Sequence, residues 1–195
     1  MKLKIYGMLL LVSLCVAAQD KAADGSSTYA IRLETGNQRV GFPFRGPAFE
    51  VYHFYSGIGI EKKWREKLNH SSYQTIDVGY FHNSSSGSGY MIISNYGHRY
   101  PLLKSFYGSA EVGGGFIHLF RPNAVYELNA NGQYEQVKDW GKIHPVVDFN
   151  FLVGYQPNRL GVYLEYNILT EFLYNKDAIF YPQTLSSIGV RYNLK

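Results

Sequence analysis

Ser186-Ser187-Ile188-Gly189-Val190-Arg191-Tyr192-Asn193-Leu194-Lys195 alternates without a break. Ser186, Ile188, Val190, Tyr192 and Leu194 fall on one face; Ser187, Gly189, Arg191 and Asn193 fall on the other. Successive side chains of an extended chain point to opposite sides, so this is a strand between two different environments. Two settings accommodate it: the half-buried edge of a soluble β-sandwich, or the wall of a barrel. Alternation does not say which face is inside.

Working back from this strand, the same period recurs seven times. Leu160, Val162, Leu164, Tyr166 and Ile168 stand against Gly161, Tyr163, Glu165 and Asn167. Val147, Phe149, Phe151, Val153 and Tyr155 stand against Asp148, Asn150 and Gly154. Phe106–Phe120 sets Ala110, Val112 and Phe116 against Ser109, Glu111, Gly113 and Gly115. Tyr90–Tyr100, Tyr73–Phe81, a segment from Phe49 and Val51 onward, and Tyr29–Thr35 complete an all-β chain of eight strands. Between them, Gly36–Pro47, Asn83–Gly89, Arg121–His144 and Asn175–Thr184 read as long connections, and Pro101–Lys104 and Gln156–Arg159 as short turns. The charged stretch Glu61–Asn69 reads as a short helix or as strand ends reaching into water, and is the one long link on the short-turn side. Inside the longest connection, Val125–Leu128 and Gln133–Val137 flank Asn131-Gly132, a strong hairpin signal.

The amino terminus bears on the compartment. Lys2 and Lys4 precede an apolar run from Ile5 to Val16, which ends in Ala17-Ala18 before Gln19-Asp20. A charged start, a short apolar core and small residues at the cut mark a secretory signal peptide. The run is shorter than the roughly 20 residues a membrane helix needs. Cleavage is expected after Ala18, giving a signal peptide at 1–18, a polar lead at 19–27 and a barrel at 28–195. Bulky Leu14 before Cys15 argues against lipoprotein processing. Cys15 then leaves with the signal, and the mature chain has no disulfide.

Composition agrees. Aromatic residues make up 16% of the chain, with 18 Tyr and 12 Phe, and charged residues only 17%. Mean hydropathy is near zero. Such values suit a barrel that is apolar outside and polar inside. The net charge of +4 includes Lys2 and Lys4, and the +2 that remains is too small to argue for nucleic acid. Long loops on one side, short turns on the other and an even strand count are the marks of a transmembrane barrel.

Ser187, Gly189, Tyr192 and Leu194 resemble the terminal assembly signal of bacterial outer-membrane β-barrels: polar, any, Gly, any, any, aromatic, any, hydrophobic. Lys195 after Leu194 is a departure from it. With Phe49–Tyr55, Tyr73–His82 and the Val125–Val137 insert, the mature chain resembles the small eight-stranded OmpA/OmpX-like barrels, and more closely a Tyr-rich set of them common in Bacteroidota. The resemblance implies an eight-stranded antiparallel transmembrane barrel with long outer loops and short periplasmic turns. It implies an outer-membrane location among outer-membrane lipids and lipopolysaccharide. It also implies that the terminal strand engages the barrel-assembly machinery. It implies little about activity, and no cofactor.

If the polar faces point inward, the lumen holds Arg32, Glu34, Glu50, Asp77, Arg99, Glu111, Asp148, Glu165 and Arg191. Eight strands enclose a space that side chains just fill. An isolated buried charge is very costly, so these must pair or lean on Tyr hydroxyls. The expectation is a sealing network rather than a proton or ion path. Two function classes follow. In the first, the barrel is non-enzymatic and supports the envelope or binds an extracellular ligand or partner through its loops, with Tyr126, Tyr134 and Trp140 as contact residues. In the second it is a lipid-modifying enzyme, since His82-Asn83-Ser84 echoes the His-x-Ser of outer-membrane lipid A deacylases. That family's Asn-Ala after the Ser is replaced here by Ser85-Ser86. His53, His70, His98, His118 and His144 show no metal-ligand spacing, so no metal is expected.

The export reading has a direct check. Mass spectrometry of membrane fractions should find a mature chain beginning at Gln19; an intact Met1 or a soluble periplasmic product would contradict it.

Overall fold

The computed structural model describes residues 28–41, 52–67, 69–129, 132–138, 140–172 and 180–194. Eight long strands form one sheet: β1 (Tyr29–Val40), β2 (Phe54–Lys67), β3 (His70–Asn83), β4 (Gly87–Leu103), β5 (Phe106–Phe120), β8 (Lys142–Tyr155), β9 (Leu160–Phe172) and β10 (Phe180–Asn193). The short β6 (Val125–Leu128) and β7 (Tyr134–Val137) form a separate hairpin. Every neighbour is antiparallel, and β1 pairs with β10 from Ala30↔Asn193 to Val40↔Gln183. The order β1-β10-β9-β8-β5-β4-β3-β2 therefore closes into a barrel. No helix occurs among the described residues.

The structure settles which face is out. Ile188 is 57% exposed and Leu164 63%, whereas Arg191 is 5% exposed and Arg32 2%. The apolar faces point outward and the charged faces inward, the reverse of a soluble barrel. Leu33, Ile58, Ile76, Ile92, Val112 and Phe151 belong to a continuous outer band. Aromatic rings border it at both ends. Tyr29, Tyr100, Tyr155 and Tyr192 lie towards one rim, where Lys62 also sits 4.1 Å from the centre of the Trp64 ring. Towards the other rim, Tyr80 meets Tyr90 at 5.2 Å and Phe172 meets Phe180 at 5.3 Å. An apolar band between two aromatic girdles is the outer surface that a bilayer requires.

Several boundaries differ from the sequence expectation. Glu61–Lys67 is neither helix nor link: β2 runs through it, with a register shift between Lys63 and Arg65. Strand geometry tolerates these charges because Glu61 turns into the lumen and the rest lie where the strand leaves the apolar band. The links at that lower rim are therefore all short: residues 68–69, 104–105 and 156–159. Pro101–Leu103 extends β4, so the turn expected at Pro101–Lys104 shrinks accordingly. On the upper rim the connections are 41–53, 84–86, 121–141 and 173–179. The second of these is short, contrary to the loop expected at Asn83–Gly89. Gly36–Val40, Lys142–His144 and Phe180–Thr184, expected in loops, are strand. Phe49 and Val51, expected to open the second strand, lie outside the described residues.

Inward glycines decide how aromatic rings fit a lumen this narrow. Tyr73 pairs with Gly97, Tyr107 with Gly154, Tyr163 with Gly189 and Phe81 with Gly89. In each pair the ring lies over the glycine's empty position; a Cβ on Gly97 would meet the Tyr73 ring at 2.8 Å. Small-against-large pairing of this kind fills a barrel interior without spreading its wall.

The orientation can be tested at Leu164, near the middle of the outer band. In vesicles, Leu164→Arg should cost roughly 2–4 kcal/mol of folding free energy, read from urea titrations. A surface change on a soluble barrel stays within about 0.5 kcal/mol, and a loss that small would sink the membrane orientation.

Candidate functional site

Two regions carry the residues singled out from sequence: the lumen and the upper rim. The lumen is layered. Near the lower rim, Glu61 of β2 is held by two arginines. Arg99 donates to its two oxygens at 2.9 and 2.8 Å, and Arg191 at 3.0 and 2.6 Å. Arg191 also donates to Gln156. The Arg99 guanidinium lies 4.3 Å from the Tyr73 ring centre and 4.7 Å from that of Tyr107. Bidentate, charge-assisted bonds and stacking fix this clamp.

The middle layer is centred on Arg32. It donates to Glu111 at 3.1 Å and to Glu165, with its guanidinium 5.1 Å from the Tyr163 ring centre. Tyr73 adds a hydroxyl bond to Glu111 at 2.7 Å, and Asn150 an amide bond at 3.3 Å. The remaining acids of this layer rest on neutral donors. Glu34 accepts from Tyr55 at 2.5 Å and Ser187 at 3.0 Å, Asp77 from Thr75 at 2.5 Å, and Asp148 from Asn95 at 2.9 Å. Of the lumen residues proposed from sequence, Arg32, Glu34, Asp77, Glu111, Asp148 and Glu165 meet in this layer. Arg99 and Arg191 join Glu61 below it, and Glu50 lies outside the described residues.

Above the charges comes a layer that sequence reading missed. Tyr55, Phe81, Met91, Ile93, Ile117, Leu119, Val146, Leu169 and Leu185 form one buried apolar cluster across the lumen. A chain of amides crosses above it: Asn83 donates to Gln38 at 2.7 Å, Gln38 to Gln183 at 2.6 Å, and Gln183 to Glu171. Glu61 and Glu171 were also missed. Glu61 sits in a run of charges that hides the alternation, and Glu171 lies beyond the last clear alternating residue of its strand.

At the upper rim, His82 faces outward and shares a 2.7 Å hydrogen bond with Ser88, its cross-strand partner. Ser84 lies in the 84–86 link and makes no bond to His82. Asn83 accepts from the backbone of Ser85 and Ser86 at 2.9 and 3.1 Å, which shapes this turn without any chemistry. No carboxylate is bonded to His82 among the described residues. No group of three or more His, Cys, Asp or Glu able to hold a metal occurs among them either.

The hairpin is built from backbone pairing and one turn. Tyr126 pairs with Gln136 and Leu128 with Tyr134, which puts Tyr126, Leu128 and Tyr134 on one face. Asn129 accepts from Gly132 at 3.0 Å and donates to Gln133 at 2.8 Å; Gly132 has φ +75°. Glycine takes that backbone conformation at no steric cost. Tyr126 is 57%, Leu128 62% and Tyr134 78% exposed. Trp140, 72% exposed, stands at the base of the hairpin, where His118 Nε2 donates to its carbonyl at 2.8 Å.

No family model matches this sequence, and neither does any curated protein. Solved structures match the fold. Neisserial surface protein A (NspA) superposes with a TM-score of 0.62 at 10% identity, covering 88% of this chain and 100% of that one. The outer membrane enzyme PagL superposes with a TM-score of 0.50 at 8% identity, covering 85% and 99%. The fold is that of the small outer-membrane β-barrels. Its neighbours include both an enzyme and a surface protein, so the fold does not choose between the function classes.

The layered lumen predicts an electrically tight barrel. Planar-bilayer recordings on the refolded protein should show no steady, large conductance; its appearance would mean that these layers do not seal the lumen.

Proposed function

We propose that this chain is an exported outer-membrane barrel, non-enzymatic and closed to solutes, that binds an extracellular ligand or partner through its upper loops. The observation that carries this reading is the hairpin's exposed face of Tyr126, Leu128 and Tyr134. An isolated two-stranded hairpin is marginal in water, and one that turns its aromatic face outward gains little from it unless something covers that face. Tyrosine and tryptophan dominate binding surfaces because they combine large apolar area with a polar tip. On this reading the upper rim faces outward, lipopolysaccharide surrounds its girdle, and β10 is the strand offered to the assembly machinery.

A second reading has one observation in its favour: the outward-facing His82–Ser88 contact at 2.7 Å, at the rim of a barrel whose fold an outer membrane enzyme shares. A serine nucleophile needs a base within this distance and a third group to orient the base. The third group is missing among the described residues, so the binding reading is preferred.

Replacing 125–137 by a short Gly/Ser link separates the two. The shortened barrel should still fold and shift on unheated gels, cells bearing it should lose binding to arrays of glycans and matrix proteins, and their lipid A should be unchanged. If instead His82→Ala, Ser84→Ala or Ser88→Ala altered the lipid A acyl pattern while the shortened loop changed nothing, the enzyme reading would replace this one.

A further inference from the structure

We propose that the lower mouth of the barrel is a binding site for a single anionic group of the phosphate or carboxylate class. A cavity of about 370 Å³ opens there, room for such a group with several waters at roughly 30 Å³ each. Arg99, Arg191 and Tyr107 line it from within, and Lys63, Lys67, Lys104 and His70 from the rim. The charges do not cancel. Five cations (Lys63, Lys67, Arg99, Lys104 and Arg191) meet two carboxylates, Glu66 and Glu61, which leaves three positive charges. Lys63 pairs with Glu66 at 3.0 Å, and Glu61 alone serves both arginines. Lys67 and Lys104 have no partner among the described residues.

Arg99 and Arg191 are spent on Glu61 and Gln156, so the rim lysines are the groups open to a ligand. A concave, one-sign surface with low-dielectric walls concentrates counter-ions, and the two arginines behind the rim lysines add fixed positive charge to it. The group recognised is either a soluble anion or the headgroup of an anionic lipid in the adjoining leaflet.

The test is calorimetric titration of the refolded full chain in neutral micelles with inorganic phosphate. One saturable site is expected, weakening with added salt, and about fivefold weaker in Lys67→Ala/Lys104→Ala, whose side chains are exposed and support no contact. Adding phosphatidylglycerol to the micelles identifies the source: displacement of phosphate assigns the site to a lipid headgroup, and unchanged phosphate binding assigns it to a soluble anion. Absence of saturable binding, or an affinity in the double-lysine variant equal to that of the unchanged protein, overturns the proposal.

Discussion

Everything in this molecule depends on the pairing of β1 with β10. A bilayer offers no water to an unpaired N–H or C=O, and each such group left in hydrocarbon costs several kcal/mol. A sheet can meet that condition only by having no edge. The register from Ala30↔Asn193 to Val40↔Gln183 removes the last edge, and joins residues more than 140 positions apart. Closure also creates the lumen. Arg32 on β1 reaches Glu165 on β9 and Glu111 on β5 only because the wall has come full circle.

The enclosed charges then hold the closed form in register. Arg32, Glu111 and Glu165 are nearly solvent-free, as are Glu61 and Arg191. Pairs buried this deeply contribute little net stability, because desolvation offsets the attraction, but stranding one member is expensive, about 3–5 kcal/mol. A one-residue slip would turn every inward side chain of a strand onto the lipid face. Glu61, held by Arg99 from β4 and Arg191 from β10, penalises any such slip of β2 against either strand. The apolar cluster above the charges acts differently: it fills the upper lumen with non-directional contacts. The charged layers hold the register, and the apolar one fills the lumen above them.

The hairpin obeys neither constraint, and the rim of the lower mouth carries more charge than either requires. β6 and β7 pair only with each other, so their aromatic face is not needed to hold the wall. The lower mouth adds Lys67 and Lys104 to the arginine clamp, and no ion pair of the wall uses them. These are the places where side chains exceed what architecture requires.

The sequence by itself determined the strand count, the position of most strands, the hairpin in the longest connection, and which residues share a face. Those features are local: period-2 alternation and turn chemistry are written in neighbouring residues. Alternation has a period but no sign, so the choice of face rested on the signal peptide, the terminal motif and the loop asymmetry; the exposure of Leu164 and burial of Arg191 bear it out. The sequence hid the upper halves of the strands. Around Ile117 and Leu119, or Leu169, both faces are apolar or mixed, so the pattern fades where the lumen itself becomes apolar. Glu61–Lys67 misled for the opposite reason, since a run of charges has no visible alternation, yet a strand can carry it where it emerges from the membrane band. Finally, alternation placed Arg32, Glu111 and Glu165 on inward faces but not together, and put Glu61 nowhere. Their meetings join residues 38 to 133 positions apart, and only closure of the barrel fixes distances of that kind.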